Sequence, residues 1–210
     1  IAPAPPLMKQ RTSLWAEIVK LGWENKMIHV VQQGAKHILS NRWDHIKNKE
    51  FVVMQAEAHL TVTESYVEEL KQTPTAQPFT DSGLDPRTLG VHVESLESHL
   101  VELKEKVIEG FMSGLKLGLK LNESWIVENA VVYLWNYHNT VFKGKQRHLA
   151  DLMPRLVEAL KQSFDALQAI ETSNIALLAS VCEALALVYE QREEYGEAKR
   201  ICEEAIPKGQ

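Results

Sequence analysis

Residues 185–205 read Leu185-Ala-Leu-Val-Tyr189-Glu-Gln-Arg-Glu-Glu-Tyr195-Gly-Glu-Ala198-Lys-Arg-Ile-Cys-Glu-Glu-Ala205, and this stretch decides the fold. Two apolar-patterned segments flank a short polar turn at Arg192 to Glu194, so two antiparallel helices must pack against each other. A large then a small residue (Leu185, Ala186) is followed by aromatics at Tyr189 and Tyr195 and by small residues at Ala198 and Ala205. Small residues let two helices approach closely, and the large ones are expected to fill the space between turns.

That spacing is the tetratricopeptide pattern, in which these residues take the seventh, eighth, eleventh, seventeenth, twentieth and twenty-seventh positions. The first part of the chain echoes it more weakly through Trp15, Ile18, Val19, Gly22 and Ala35. The middle does not fit a thirty-four-residue period, because its helices are too long. The expected fold is therefore all-α, a tetratricopeptide-like solenoid of helical hairpins with an irregular middle segment. A solenoid of this kind normally continues into neighbours.

Working outward, residues 1–72 are expected to hold a first hairpin and a following helix, with helices over Leu7 to Gly22, around Ile28 to Leu39, and over Trp43 to Lys71. Residues 73–89 carry Pro74, Pro78, Pro86 and Gly83 and read as a long surface loop. Residues 90–170 form a middle segment of long helices. Asn122 or Ser124 is expected to cap the helix running to Phe142, and Pro154 to bend the helix from about Gln146 to Ile170. Residues 171–210 form the tetratricopeptide-like hairpin, its first helix capped from Thr172-Ser173-Asn174. Gly110, Gly114 and Gly118 recur every four residues, a small-residue stripe that reads as a helix face approached closely by another backbone.

The chain has 210 residues and a formal net charge of −5, an unfavourable balance for neutralising phosphates, so no nucleic-acid partner is expected. No apolar run is long enough to span a bilayer and no signal peptide is evident, so no membrane partner is expected and a soluble protein is. The opening residue is Ile1 rather than Met, as for a piece of something longer. Cys182 and Cys202 have no framework spacing and suit a reducing compartment, as small core residues on facing helices first, with a disulfide or reactive thiol as the alternative.

No Walker motif, GxGxxG or H-E-x-x-H occurs, the eight histidines are scattered, and the acidic pairs at 68–69, 193–194 and 203–204 read as solvated helix faces. Neither catalysis, metal binding nor a cofactor is expected. The Lys and Asn array with which some tetratricopeptide proteins clamp a C-terminal carboxylate is also missing, since Lys20 and Lys26 have no matching partners. The candidate interface or packing residues are Trp125, Tyr133, Trp135, Tyr137 and Phe142. Trp125, Val132 and Trp135 cannot share one narrow stripe, so this helix is apolar on several sides. It reads as a central helix of the array or as one facing a partner chain.

The run Glu123-Ser-Trp-Ile-Val-Glu-Asn-Ala-Val-Val-Tyr-Leu-Trp-Asn-Tyr-His-Asn139, continuing through Lys143-Gly-Lys-Gln-Arg147 to Leu149, resembles a segment of the cilia- and flagella-associated protein 46 family. That family has a similar Trp-Ile-Val-x-Asn-Ala-Ala-Val-Tyr run. The segments around Trp15-Ala16-Glu17-Ile18 and Gln55-Ala56-Glu57-Ala58 are also similar, and together these cover about half of the chain. The resemblance implies a structural role in a very large tetratricopeptide-repeat protein of the central apparatus of motile cilia. It implies a location in the cytoskeleton of the ciliary axoneme, in a projection attached to a microtubule, with other central-apparatus proteins and calmodulin as partners. The alternative expectation is a general cytoplasmic tetratricopeptide adaptor binding peptide segments, and an enzyme ranks third.

Overall fold

The computed structural model describes residues 5–40, 49–72, 86–142 and 152–205, with backbone alone at 5, 6, 8, 86–97 and 140–142. Eight helices follow in order among these residues: α1 (Pro5–Glu24), α2 (Ile28–Leu39), α3 (Lys49–Gln72), α4 (Pro86–Leu121), α5 (Ser124–Phe142), α6 (Met153–Ala169), α7 (Ile175–Gln191) and α8 (Tyr195–Ala205). No strand occurs among the described residues, and the fold is all-α and built from helical hairpins.

Several boundaries differ from the sequence expectation. Residues 86–89 are helical rather than loop, and α4 opens on Pro86. Proline lacks an N–H and has a helix-ready φ, so it starts a helix at no cost in hydrogen bonds. The remainder of the expected loop, 73–85, lies outside the described residues. Pro154 likewise sits in the first turn of α6 instead of bending it, and α6 begins at Met153. α3 begins at Lys49, with 41–48 outside the described residues. The chain divides into two compact units between Gly110 and Phe111, inside the segment 90–170 that the sequence groups together.

One turn is used four times. Among the described residues the non-glycine positions with positive φ are Lys26 (56°), Asn122 (56°), Glu171 (49°) and Glu193 (61°). Each follows the end of a helix. In each, the next residue's N–H reaches back five residues to a helix carbonyl: Met27 to Gly22 (2.8 Å), Glu123 to Gly118 (2.9 Å), Thr172 to Leu167 (3.1 Å) and Glu194 to Tyr189 (2.9 Å). This left-handed closure satisfies carbonyls that a helix end leaves without partners, and it reverses the chain direction. Asn122 is therefore the turn residue before α5 and not its cap.

In the first unit, α1, α2 and α3 pack mutually. Val19, Val31, Ala35, Ile38, Ala58 and Val62 form the buried cluster, with Trp15 and Trp23 against it. Trp15 stacks on His37 with ring centroids 4.2 Å apart. Gly34 brings α2 so close to α1 that a Cβ there would lie 2.8 Å from Val19 Cγ2. Gly110 has the same use against α3, where an added Cβ would overlap Thr63 Oγ1. In the second unit, a Cβ on Gly118 would stand 2.9 Å from Val127 Cγ2 of α5. The approach to these glycines is thus made by side chains, Thr63 and Val127, rather than by a bare backbone.

The second unit packs α5 on α6 and α7, α6 on α7, and α7 on α8. The Asn174 side chain caps α7 by accepting from Leu177 N at 3.1 Å, as the sequence indicates. Buried Thr172 accepts from Asn174 N and donates its hydroxyl to the Glu128 carboxylate on α5, tying the α6–α7 turn to that helix. Gln168 Nε2 on α6 donates to the Glu204 carbonyl on α8 at 2.6 Å.

A side chain in the left-handed region costs about 1 kcal/mol relative to glycine, so Glu193→Gly is expected to raise stability by about that amount in urea unfolding. Glu183→Gly, in the middle of α7, is expected to lower it by about 1 kcal/mol. Equal losses at both positions would show that residue 193 is not held left-handed in solution.

Candidate interaction surfaces

Helix α5 buries one continuous face, made by Ile126, Val127, Ala130, Val131, Leu134 and His138. The aromatic residues singled out in the sequence lie around that face and do not form one cluster. Tyr133 and Tyr137, one turn apart and half-buried, both stack on Phe111 of α4, at centroid distances of 5.7 and 5.9 Å. Trp135 is also half-buried, but it lies about 200° around the helix from each tyrosine. Trp125 is 43% exposed in the first turn, where its Nε1 donates to Glu123 at 3.0 Å. The Phe142 side chain lies outside the described residues. The anchor of the group is Phe111, fully buried, which the sequence shows only as one apolar residue among many in α4.

The repeat-signature residues also separate. Leu185 and Tyr189 are buried as expected, while Ala186, Ala198 and Ala205 are half-buried. Tyr195 departs from the expectation: at 63% exposed in the first position of α8, it fills no interior space. An apolar groove of about 480 Å³ runs along α7 and α8, lined by Ile175, Ala179, Cys182, Ala186, Leu187 and Ala205 with Glu183 and Glu190 beside them. Composition does not reveal this surface. The signal for it is that α7 carries Ile175, Ala179 and Leu187 besides its buried residues, more apolar surface than α5, α6 and α8 cover. In the first unit a comparable apolar stripe, Leu7, Leu14, Ile18 and Leu21, stands exposed along α1.

A second cavity, about 430 Å³, lies among α1, α2 and α3, with Lys20 and Glu57 in its lining. Burial pushes the Glu57 carboxyl upward, and the Lys20 charge opposes that shift. Glu64, pushed up to about 7 by burial and by the neighbouring Glu68, is the most displaced carboxyl. It does not line this cavity, and the charges that act on it belong to its own helix. Among the described residues no group of three or more potential metal ligands converges, and no helix is long and apolar enough to cross a membrane. The arrangement offers apolar surfaces against which other helices can pack.

His138 is buried and its Nδ1–H donates to the Leu134 carbonyl at 2.8 Å. Burial holds the imidazole below its ordinary value of 6.5, the backbone hydrogen bond opposing. The unfolded chain therefore binds a proton that the folded chain refuses, and His138's contribution is present above pH 6.5 and lost as pH falls below it. In urea unfolding the stability of the parent chain relative to His138→Leu is expected to decline as pH falls below about 6.5. The raised carboxyls of Glu57 and Glu64, which favour folding as pH falls, act equally in both chains and cancel from that difference. Separately, Phe111→Ala should cost about 3–5 kcal/mol and Trp125→Ala less than about 0.5 kcal/mol. A comparable loss for both would mean that Trp125 is packed in solution.

No family model matches the chain, and no solved structure matches it. Among curated proteins, the chain is similar to "Cilia- and flagella-associated protein 46" of Chlamydomonas reinhardtii, at 25% identity over 189 residues. The similar region takes in 88% of this chain and 6% of that protein, so the chain spans a small part of the length of the curated relative.

Proposed function

We propose that this chain is a non-catalytic scaffold segment of the ciliary axoneme, related to cilia- and flagella-associated protein 46. The observation that carries the reading is the similarity to the algal protein, because it extends over 88% of the chain and is not confined to the Trp125 to Tyr133 run. The name of that relative connects it to cilia and flagella. In this reading the hairpins are tetratricopeptide-type units of a longer array in the central apparatus of motile cilia. Their partners are other central-apparatus proteins of a microtubule-attached projection, with calmodulin among them, and the work is protein–protein contact that supports ciliary beating.

Two physical features support a scaffold. Exposed apolar stripes on α1 and along α7 supply area for packing against further helices, the use that repeat arrays make of such faces. The buried faces of α5 and α7 hold the second unit together by apolar packing, as the cluster of α1, α2 and α3 does the first. The groove between α7 and α8 also favours a second reading, an adaptor that lays a partner's amphipathic helix into that groove.

Proximity labelling with the endogenous protein in ciliated cells separates the two. Enrichment of central-apparatus proteins is the expected result. Labelling confined to soluble cytosolic proteins, with no axonemal enrichment, would overturn the scaffold reading in favour of the adaptor.

A further inference from the structure

Cys182 and Cys202 are placed together by the last hairpin. Cys182 is buried on α7, and its thiol lies 3.7 Å from the carbonyl oxygen of Ile201 on α8, the residue immediately before Cys202. Cys202 is exposed, and both side chains line the same groove. The thiols are near enough to interact by hydrogen bonding and by charge. One thiol open to solvent beside one shielded thiol is the arrangement of an attacking and a resolving cysteine. We propose that Cys182 and Cys202 form a reversible intramolecular disulfide when the protein meets a small disulfide oxidant of the oxidised-glutathione class.

The chemistry balances in two exchanges. The Cys202 thiolate attacks one sulfur of oxidised glutathione, breaking its S–S bond and releasing one glutathione thiolate. The Cys182 thiolate then attacks the Cys202 sulfur, forming the protein disulfide and releasing the second glutathione. Two protein thiols are oxidised and one small disulfide is reduced. The two protons from the cysteines end on the released glutathiones. Burial first, then Cys202, raises the Cys182 thiol, and the burial persists once Cys202 carries glutathione, so the second exchange is the slow one. The bond ties α8 to α7 along the groove, and the oxidation state thereby sets that surface.

The test incubates the 210-residue chain and its Cys182→Ser and Cys202→Ser variants with oxidised glutathione, then measures intact mass after acid quenching. The parent chain is expected to lose two hydrogens, retain no glutathione, and leave neither thiol open to maleimide after denaturation. Cys182→Ser is expected to stop with glutathione on Cys202, and Cys202→Ser to remain reduced. Closure in the parent chain is expected to accelerate about tenfold for each unit of pH between about 7 and 9. Persistence of the glutathione adduct on Cys202 with Cys182 still alkylated, or a disulfide between two chains through Cys202, would overturn the proposal.

Discussion

The structure depends on how its helices stop. Four helix ends are closed by a single residue in the left-handed region, at Lys26, Asn122, Glu171 and Glu193, and each closure turns the chain back on itself within two or three residues. A helix that ends this way must be followed by an antiparallel neighbour, and the neighbour's apolar face is then committed to the contact. Hairpin pairing, the close approaches at Gly34 and Gly118, and the burial of α5 and α7 all follow from that reversal. Three of these positions carry Lys or Glu where glycine is the easy residue, so packing of the hairpins pays for backbone strain at the turns.

With the hairpins formed, burial is divided unevenly. Phe111 is fully enclosed and is stacked by Tyr133 and Tyr137, while Trp125, chemically the most promising interface residue on α5, stands partly in water with its indole N–H satisfied by Glu123. The exposed apolar area lies elsewhere, on α1 and along the α7–α8 groove. A chain with buried apolar cores and apolar outer helix faces is suited to work as one unit among others. That physical character accords with the proposed scaffold, as does the similarity to a Chlamydomonas protein named for cilia and flagella.

Much of the architecture was legible in the residues. Helical spacing located every helix among the described residues, and Asn174 marked the start of α7 through its side chain. The facing of Cys182 and Cys202 was also within reach, since they stand ten residues on either side of Arg192 in a hairpin turn. Prolines were the main source of error. Pro86 and Pro154 start helices, where a loop residue and a bend were expected, because a proline's missing N–H costs nothing in a first turn. Periodicity alone does not say on which side of that distinction a proline falls.

The sequence by itself determined that this protein is helical and paired in hairpins, because the spacing of apolar residues and the positions of turns are local properties. It could not determine which apolar residues are interior. Tyr189 and Tyr195 belong to the same pattern, yet one is buried and the other exposed, since burial depends on which neighbouring helix arrives and from which side. The same holds for the glycines, whose partners Thr63 and Val127 come from different helices. Only the tertiary structure decided these matters, because contact between residues distant in sequence is set by the packing of whole faces and not by the identity of any one residue.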